Sequence, residues 1–292
     1  MISSETFVPQ SLENLTKIPA FPSPLPEAFY TKICKEYEAV SDAITQRIIY
    51  NSDGLQVNGI TCFPAKIDLK KHPILIYNRG GTRDYGRLTV RTVLRAMLPF
   101  ARTGYLVYAS NYRGNDGGQG ADEFGGDDLN DIFNLLEIAK QNPAWDGKNI
   151  FMLGHSRGGM MTYLSLRKDK TFNAAISIAG LSDLIEWKVE RPLIEEQVYK
   201  TTIPNYLNSP DDAILNRSAV CWAEEISTPL LLLHGTADEA VSLGHSTRLA
   251  EKLAALGKIH ELVIYEGGNH ALLRHWDEVI AKCLSWFGSY EL

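Results

Sequence analysis

Residues 149–168 have the sequence NIFMLGHSRGGMMTYLSLRK, and this stretch decides the fold. An apolar run is followed by Gly154-His155-Ser156-Arg157-Gly158, which matches the pattern G-x-S-x-G, and then by an amphipathic segment. Strand, sharp turn and helix in this order predict a nucleophile elbow, in which a serine hydroxyl projects above the edge of a sheet. Glycine at 154 and 158 suits the close backbone contacts of such a turn. We therefore expect Ser156 to be a nucleophile.

Outside this stretch, short apolar runs alternate with amphipathic segments. Continuous apolar strands separated by helices predict a mostly parallel central sheet flanked by helices, which is the α/β-hydrolase type of α/β fold. Asp53-Gly54 lies between two β-rich segments and predicts a tight hairpin turn. The strands are expected at 44–52, 55–65, 74–78, 105–110, 149–154, 174–180, 230–235 and 260–267, and the helices at 88–103, 127–141, 157–168, 244–257 and 271–287.

The chain divides into an N-terminal part and a catalytic domain. Residues 1–43 predict an extended arm, because prolines recur at positions 9, 19, 22, 24 and 26, followed by a short amphipathic helix. Residues 44–292 predict the catalytic domain. Within it, residues 181–226 carry no strand pattern and predict a helical insertion after the sixth strand.

Composition limits the classes of partner. The 292 residues are 45% hydrophobic and carry a net charge of −6, with no basic run, so a nucleic-acid partner is not expected. No apolar segment is long enough to span a bilayer, and no signal peptide is evident, so we expect a cytoplasmic protein without a membrane partner. The four cysteines are scattered and lack metal-ligand spacing, which indicates free thiols in a reducing compartment, no metal and no cofactor.

A serine nucleophile needs a general base and an acid that orients this base. His270 follows the strand HELVIYEG and Asp238 follows the strand LLLLHG, which gives the chain order serine, acid, histidine. Because catalytic groups of open α/β sheets gather at the carboxyl ends of the strands, we expect Ser156, Asp238 and His270 to form a triad. Asp183 is the main rival acid. Of the other histidines, His155 is expected to point away, His234 to support the Asp238 turn, and His72, His245, His260 and His275 to lie on the surface.

The tetrahedral intermediate of acyl transfer also needs fixed hydrogen-bond donors. We expect one to be the backbone N–H of Arg157, the residue after the nucleophile. The second is expected from the loop after the strand ILIYN, where Gly80 and Gly81 allow close approach of the backbone. The choice between Gly80 and Gly81 stays open at this point.

Several segments together resemble one known family. Asn111-Tyr112-Arg113-Gly114 with its glycine-rich continuation, GHSRGGMMTY, HGTADEAV and the lead into His270 look like the catalytic domain of the prolyl oligopeptidase family. The resemblance covers residues 44–288 and implies acyl transfer from peptides, amides or esters to water, with Ser156, Asp238 and His270 as the triad. In one departure, Arg79 stands where the family often has the histidine of a His-Gly-Gly motif. In another, about 43 residues precede the first β segment, too few for the family's N-terminal propeller.

These observations predict a serine hydrolase acting on a small ester or a short peptide. The short N-terminal part favours an esterase over a peptidase of the prolyl oligopeptidase type. An acyltransferase, or a non-catalytic receptor built on the hydrolase fold, are the alternatives. The oligomeric state is left open, since the arm suits a homodimer contact as well as a cover for its own domain. The expected pocket residues, from the insertion, are Trp187, Tyr199, Tyr206 and Trp222.

Overall fold

We describe a computed structural model of the chain for residues 1–6 and 43–292. The greater part of the expected N-terminal arm, including the helix expected at 27–40, lies outside the described residues. Residues Ser3–Thr6, inside the expected arm, form a strand that pairs with the strand Ala43–Ser52. Sequence analysis did not anticipate this strand, because its polar sequence SSET has no apolar periodicity.

The centre of the molecule is a nine-stranded sheet with the strand order β1-β2-β3-β5-β4-β6-β7-β8-β9. Strands β1 to β3 are antiparallel, β5 runs antiparallel to β3, and all later neighbours are parallel. The α/β-hydrolase fold expected from the sequence is therefore confirmed. The strands are β1 (Ser3–Thr6), β2 (Ala43–Ser52), β3 (Leu55–Pro64), β4 (His72–Asn78), β5 (Leu106–Ser110), β6 (Trp145–His155), β7 (Ala174–Ile178), β8 (Leu230–Gly235) and β9 (His260–Tyr265).

The hairpin between β2 and β3 has the geometry that its sequence predicts. Asp53 and Gly54 have φ values of 53° and 85°, so both central residues are left-handed. A two-residue turn of this kind matches the right-handed twist of the flanking strands. The turn fixes the register in which Ser52 pairs with Leu55.

Helices cover both faces of the sheet. On β4, Ile74 and Ile76 belong to one buried cluster and Leu75 and Tyr77 to the other, as the alternation of side chains along a strand requires. The first cluster is completed by α2, α3 and α6, and the second by α1 and α7. The helices are α1 (Val90–Thr92, a wider π turn at Val93–Met97, and Leu98–Arg102), α2 (Leu129–Lys140), α3 (Arg157–Lys168), α4 (Leu184–Glu190), α5 (Pro210–Leu215), α6 (Gly244–Ala255) and α7 (Trp276–Gly288).

Residues 181–226 contain only short helical pieces. Besides α4 and α5, there are helical turns at Glu195–Tyr199, Lys200–Thr202, Tyr206–Asn208, Ala219–Cys221 and Ala223–Glu225. Their apolar side chains join the first cluster, so this region packs on the sheet as part of the same core. Among residues 1–6 and 43–292, no helix has the length and apolar character needed to cross a bilayer.

Candidate active site

Four strands bring the expected site residues to one edge of the sheet. Strands β4, β6, β8 and β9 are parallel and end at this edge. The loop after β4 carries Gly80 and Gly81, Ser156 follows β6, Asp238 follows β8, and His270 follows β9. Loops at the carboxyl ends of the strands are the usual place for ligands in open α/β sheets.

Ser156 occupies a sharp turn between β6 and α3. Its φ of 60° and ψ of −123° lie in a region that residues other than glycine rarely adopt. The strain is tolerated because the neighbouring positions lack side chains: a Cβ on Gly158 would collide with the Asn78 carbonyl oxygen, and one on Gly154 with the Gly158 carbonyl. The local geometry is that of a nucleophile elbow.

Asp238 and His270 form a hydrogen-bonded pair. The His270 Nδ1–H group donates to Asp238 Oδ2 over 2.8 Å, and the Asp238 side chain is fully buried while the His270 side chain is 26% exposed. With its proton on Nδ1, the imidazole presents Nε2 as an acceptor. The pair thus has the tautomer that a general base requires.

The Asp238 carboxylate is satisfied on both oxygens. Oδ1 accepts the backbone N–H groups of Ala240 and Val241 over 2.9 and 3.0 Å, and His234 Nε2 lies 3.2 Å from Oδ2. Burial alone would raise the pKa of Asp238, but the hydrogen bonds from His234 and His270 outweigh it and hold this pKa well below its usual range. Asp238 therefore stays ionised at neutral pH, and His234 has the supporting place that the sequence predicted.

Side chains from β6 and α1 donate hydrogen bonds to the loop that carries His270. The His155 Nε2–H group donates to the His270 carbonyl over 2.9 Å, and its ring centroid lies 4.9 Å from that of His270. Arg95 donates to the next carbonyl, that of Ala271, over 2.8 Å. Burial, followed by the nearby His270, lowers the pKa of His155 to about 4, so His155 is a neutral donor at physiological pH.

Among the described residues, no hydrogen bond joins the Ser156 hydroxyl to His270 Nε2, and neither atom bonds to another group. Catalytic hydrogen bonds are often long without substrate and tighten when substrate binds. Both atoms are therefore available to a bound molecule, as an acceptor and a nucleophile must be.

Two backbone segments lie next to Ser156. Arg157 is the first residue of α3, and the first N–H groups of a helix have no acceptor within it. On the other side, Gly80 packs against the elbow so closely that a Cβ there would lie 3.0 Å from Ser156 Cβ and 2.9 Å from the His155 carbonyl. Backbone N–H groups directed at the serine from these two segments would suit a developing negative charge.

The rival acid, Asp183, has a different role. Its side chain accepts the N–H groups of Ile185 and Glu186 and so caps the first turn of α4, and it lies 3.4 Å from Arg248.

Two expectations about histidines were wrong: His245 is fully buried and His72 is 8% exposed, because both are hydrogen-bonded inside the fold. His72 begins β4 and His245 lies in α6, so neither follows the carboxyl end of a strand, which was the only signal used for them.

Three of the four expected pocket residues lie together. Trp187, Tyr199 and Tyr206 form a chain of ring contacts that includes Phe124, whose ring is 6.1 Å from that of Trp187. Trp222 lies apart from this group, with its ring under the Arg167 guanidinium. Tyr199 and Tyr206 are buried, so Trp187 is the member with the most accessible ring.

A cavity of about 430 Å³ opens beside the Asp238 loop. None of the four expected pocket residues lines this cavity, although the indole N–H of Trp187 donates to the carbonyl of Ala240, which does. The cavity is lined by residues 190–194, Gln197, residues 238–240 and Ser242. No group of three or more His, Cys, Asp or Glu side chains among the described residues could hold a metal ion.

Comparison with known proteins identifies the family. Residues 92–290 match the prolyl oligopeptidase family. The chain belongs to this family. The uncharacterized peptidase YtmA of Bacillus subtilis is 32% identical over 224 residues, which cover 76% of this chain and 84% of YtmA. The prolyl oligopeptidase family consists of serine peptidases, so the chain is a serine hydrolase, as the resemblance of its motifs implied.

Other relatives in the prolyl oligopeptidase family are longer. Dipeptidyl-peptidase 5 of Porphyromonas gingivalis is 28% identical over 271 residues, which are 83% of this chain and 37% of that protein. An acylaminoacyl peptidase of Pyrococcus horikoshii superimposes with a TM-score of 0.72 at 24% identity, covering 85% of this chain and 42% of its own. The chain thus spans well under half the length of these two proteins, and the structural match shows a shared fold.

Proposed function

We propose that the chain hydrolyses short peptides and small esters through an acyl-enzyme on Ser156. His270 takes the hydroxyl proton as Ser156 attacks the carbonyl carbon, then protonates the leaving group, and Asp238 fixes the imidazole and stabilises its charged form. Water then attacks the acyl-enzyme with His270 as base. The single observation that carries this proposal is the strained Ser156 at the elbow beside the hydrogen-bonded Asp238–His270 pair.

The oxyanion of the tetrahedral intermediate is proposed to bind two backbone donors. The first is the N–H of Arg157, the unpaired first amide of α3. The second comes from Gly80 or Gly81, and the contact of Gly80 with Ser156 supports this loop as the source.

Peptides are proposed as the natural substrates, and small esters as compounds that the same site accepts. Peptides are supported by the similarity to the peptidase YtmA, because the matched residues cover most of that protein. A cavity of about 430 Å³ beside the Asp238 loop, lined in part by residues 190–194 and Gln197 of the 181–226 region, supports a small acyl or aminoacyl group. Residues 44–292 are accordingly proposed to act as the catalytic domain.

The proposal is tested by kinetics on two matched substrate sets. Aminoacyl-p-nitroanilides and p-nitrophenyl esters are assayed with the wild type and with Ser156→Ala. We expect turnover of both sets, faster for the esters because p-nitrophenolate is the better leaving group, and no turnover above background in the variant. If neither set is hydrolysed, or if Ser156→Ala keeps the wild-type rate, the proposed function is wrong.

We also propose a cytoplasmic location. Cys221 and Cys283 are free thiols, as expected in a reducing compartment. Fractionation of the native host, with immunodetection of the chain, tests this, and recovery in a secreted or membrane fraction would refute it.

A further inference from the structure

The loop that follows β4 is organised around a buried guanidinium. Arg79 is 1% exposed and donates only to backbone carbonyls. Its acceptors are the carbonyls of Gly80 (3.0 Å), Arg83 (2.9 Å), Tyr85 (3.3 Å) and Asn111 (2.7 and 3.0 Å). Burial, and then the nearby Arg157, lower the pKa of Arg79 to about 10, so it is still charged at neutral pH.

A second buried guanidinium holds the same loop from the elbow. Arg157 donates to the carbonyl of Gly81 over 3.0 Å. Its other side-chain hydrogen bonds go to Asp122, at 2.7 Å from each terminal nitrogen, and to Asp128 at 2.6 Å. Burial alone would lower the pKa of Arg157, but these two carboxylates raise it, so the guanidinium is a permanent cation fixed in one position.

The two guanidiniums share one aromatic ring, and a carboxylate that pairs with Arg157 also binds the loop. The Tyr112 ring centroid lies 5.0 Å from the Arg79 guanidinium carbon and 5.1 Å from that of Arg157. Asp122 also accepts the backbone N–H of Arg83 over 2.8 Å. The segment that carries Tyr112 and Asp122, whose glycine-rich sequence is part of the family resemblance, therefore supports the loop at residues 80–86.

These contacts fix the directions of two peptide groups of the loop. In a trans peptide the C=O and the following N–H point in opposite directions. Arg79 draws the Gly80 carbonyl inward, so the Gly81 N–H points away from the buried guanidinium, at the segment where Gly80 touches Ser156. The Arg79 carbonyl accepts from the Tyr112 hydroxyl over 3.3 Å and faces α3, which turns the Gly80 N–H away.

We propose that Arg79 and Arg157 are positioning residues of the oxyanion hole, and that Gly81 supplies its second donor. The inference rests on the proposed function of Ser156. One guanidinium fixes the peptide that contains the Gly81 N–H, and the other joins this loop to the residue that supplies the first donor. Donors held in place before the reaction need no reorganisation when charge develops, which is how an oxyanion hole lowers the barrier.

The test compares Arg79→Gln, Arg79→Lys and the wild type on a p-nitrophenyl ester. A donor of the oxyanion hole stabilises the transition state and not the bound substrate. If Arg79→Gln misdirects this donor, we therefore expect kcat to fall about 10²-fold. KM should stay within about threefold, and the inhibition constant of a trifluoromethyl ketone should rise by the same factor as kcat falls. Arg79→Lys keeps the charge but offers fewer donors, and we expect about a tenfold loss.

Arg217 provides a matched control. It is 8% exposed and also donates to backbone carbonyls, those of Glu123, Phe124 and Ala213, but none of them lies in the loop at residues 80–86. We expect Arg217→Gln to lower the melting temperature as Arg79→Gln does, while kcat stays within about threefold, since its loss removes buried hydrogen bonds alone.

Wild-type kcat in folded Arg79→Gln, or equal kcat losses in Arg79→Gln and Arg217→Gln, would overturn the proposal. If Arg79→Gln does not fold, Arg79→Lys decides, and wild-type kcat in that variant would overturn it as well. Failure of the proposed function is distinguishable, because in that case the wild type itself is inactive or Ser156→Ala is active.

Discussion

Two loops flank Ser156, and they are held in different ways. The loop at residues 80–86 is fixed from inside by two buried guanidiniums that bind four of its carbonyls. The loop at residues 266–275, which carries His270, contains no such buried guanidinium. Its hydrogen bonds come one by one, from His155 and Arg95 to two of its carbonyls and between residues 267–268 and residues 236–237. The difference matches the two tasks. Donors to an oxyanion work best when rigid, whereas the imidazole must accept a proton from one group and deliver it to another.

The comparison of the two loops predicts that kcat depends more on the hydrogen bond from His270 to Asp238 than on the contacts that hold the His270 loop. Asp238→Asn keeps the shape but favours the wrong imidazole tautomer, and we expect kcat to fall about 10⁴-fold. Steady-state kinetics on a p-nitrophenyl ester measure the loss. A fall of less than about tenfold would mean that Asp238 does not orient His270 during the reaction.

A smaller effect is expected from the contact that holds the His270 loop. His155→Phe keeps a ring but removes the donor to the His270 carbonyl, and we expect kcat to fall about tenfold, the scale of one hydrogen bond. His155→Gln can restore a donor and should recover most of the rate. If the two variants have equal kcat, the hydrogen bond is not what holds the imidazole.

The smallest effect on kcat is expected at Asp183, the acid that follows β7, in contrast to Asp238, which follows the neighbouring strand β8. Asp183→Ala removes the cap of α4, so we expect the free energy of unfolding to fall by about 1 kcal/mol. We expect kcat to stay at the wild-type value, because Asp183 contacts none of the proposed catalytic residues. Urea unfolding and the ester assay measure the two quantities, and a large fall in kcat would return Asp183 to the list of candidate acids.

Much of this site could be predicted because its signals are local in sequence. The elbow is a continuous strand, turn and helix around Ser156. Its glycines are needed because side chains would collide with the backbone there, so they occur at fixed positions relative to the serine. Asp238 and His270 each follow an apolar strand, and parallel strands end at one edge of the sheet. The Asp53-Gly54 turn is predicted on the same basis, since two residues determine its backbone.

The parts that sequence analysis missed depend on contacts between distant segments. Arg157 lies 35 positions from Asp122, and only the fold shows that they pair. Arginine is usually exposed, so nothing in the pattern indicates that Arg79 and Arg157 are buried. His245 was misassigned to the surface for the same reason, because its buried partners come from residues 182 and 183.

The central claim is that Ser156, His270 and Asp238 act as one unit, and a fluorophosphonate probe tests it most directly, since such a probe reacts with an activated serine. Labelling followed by peptide mapping should find the probe on Ser156 in the wild type and nowhere in Ser156→Ala. Labelling should be slowed by about 10⁴-fold or more in His270→Ala. Equal labelling of the wild type and Ser156→Ala, or wild-type labelling rates without the imidazole of His270, would contradict the account.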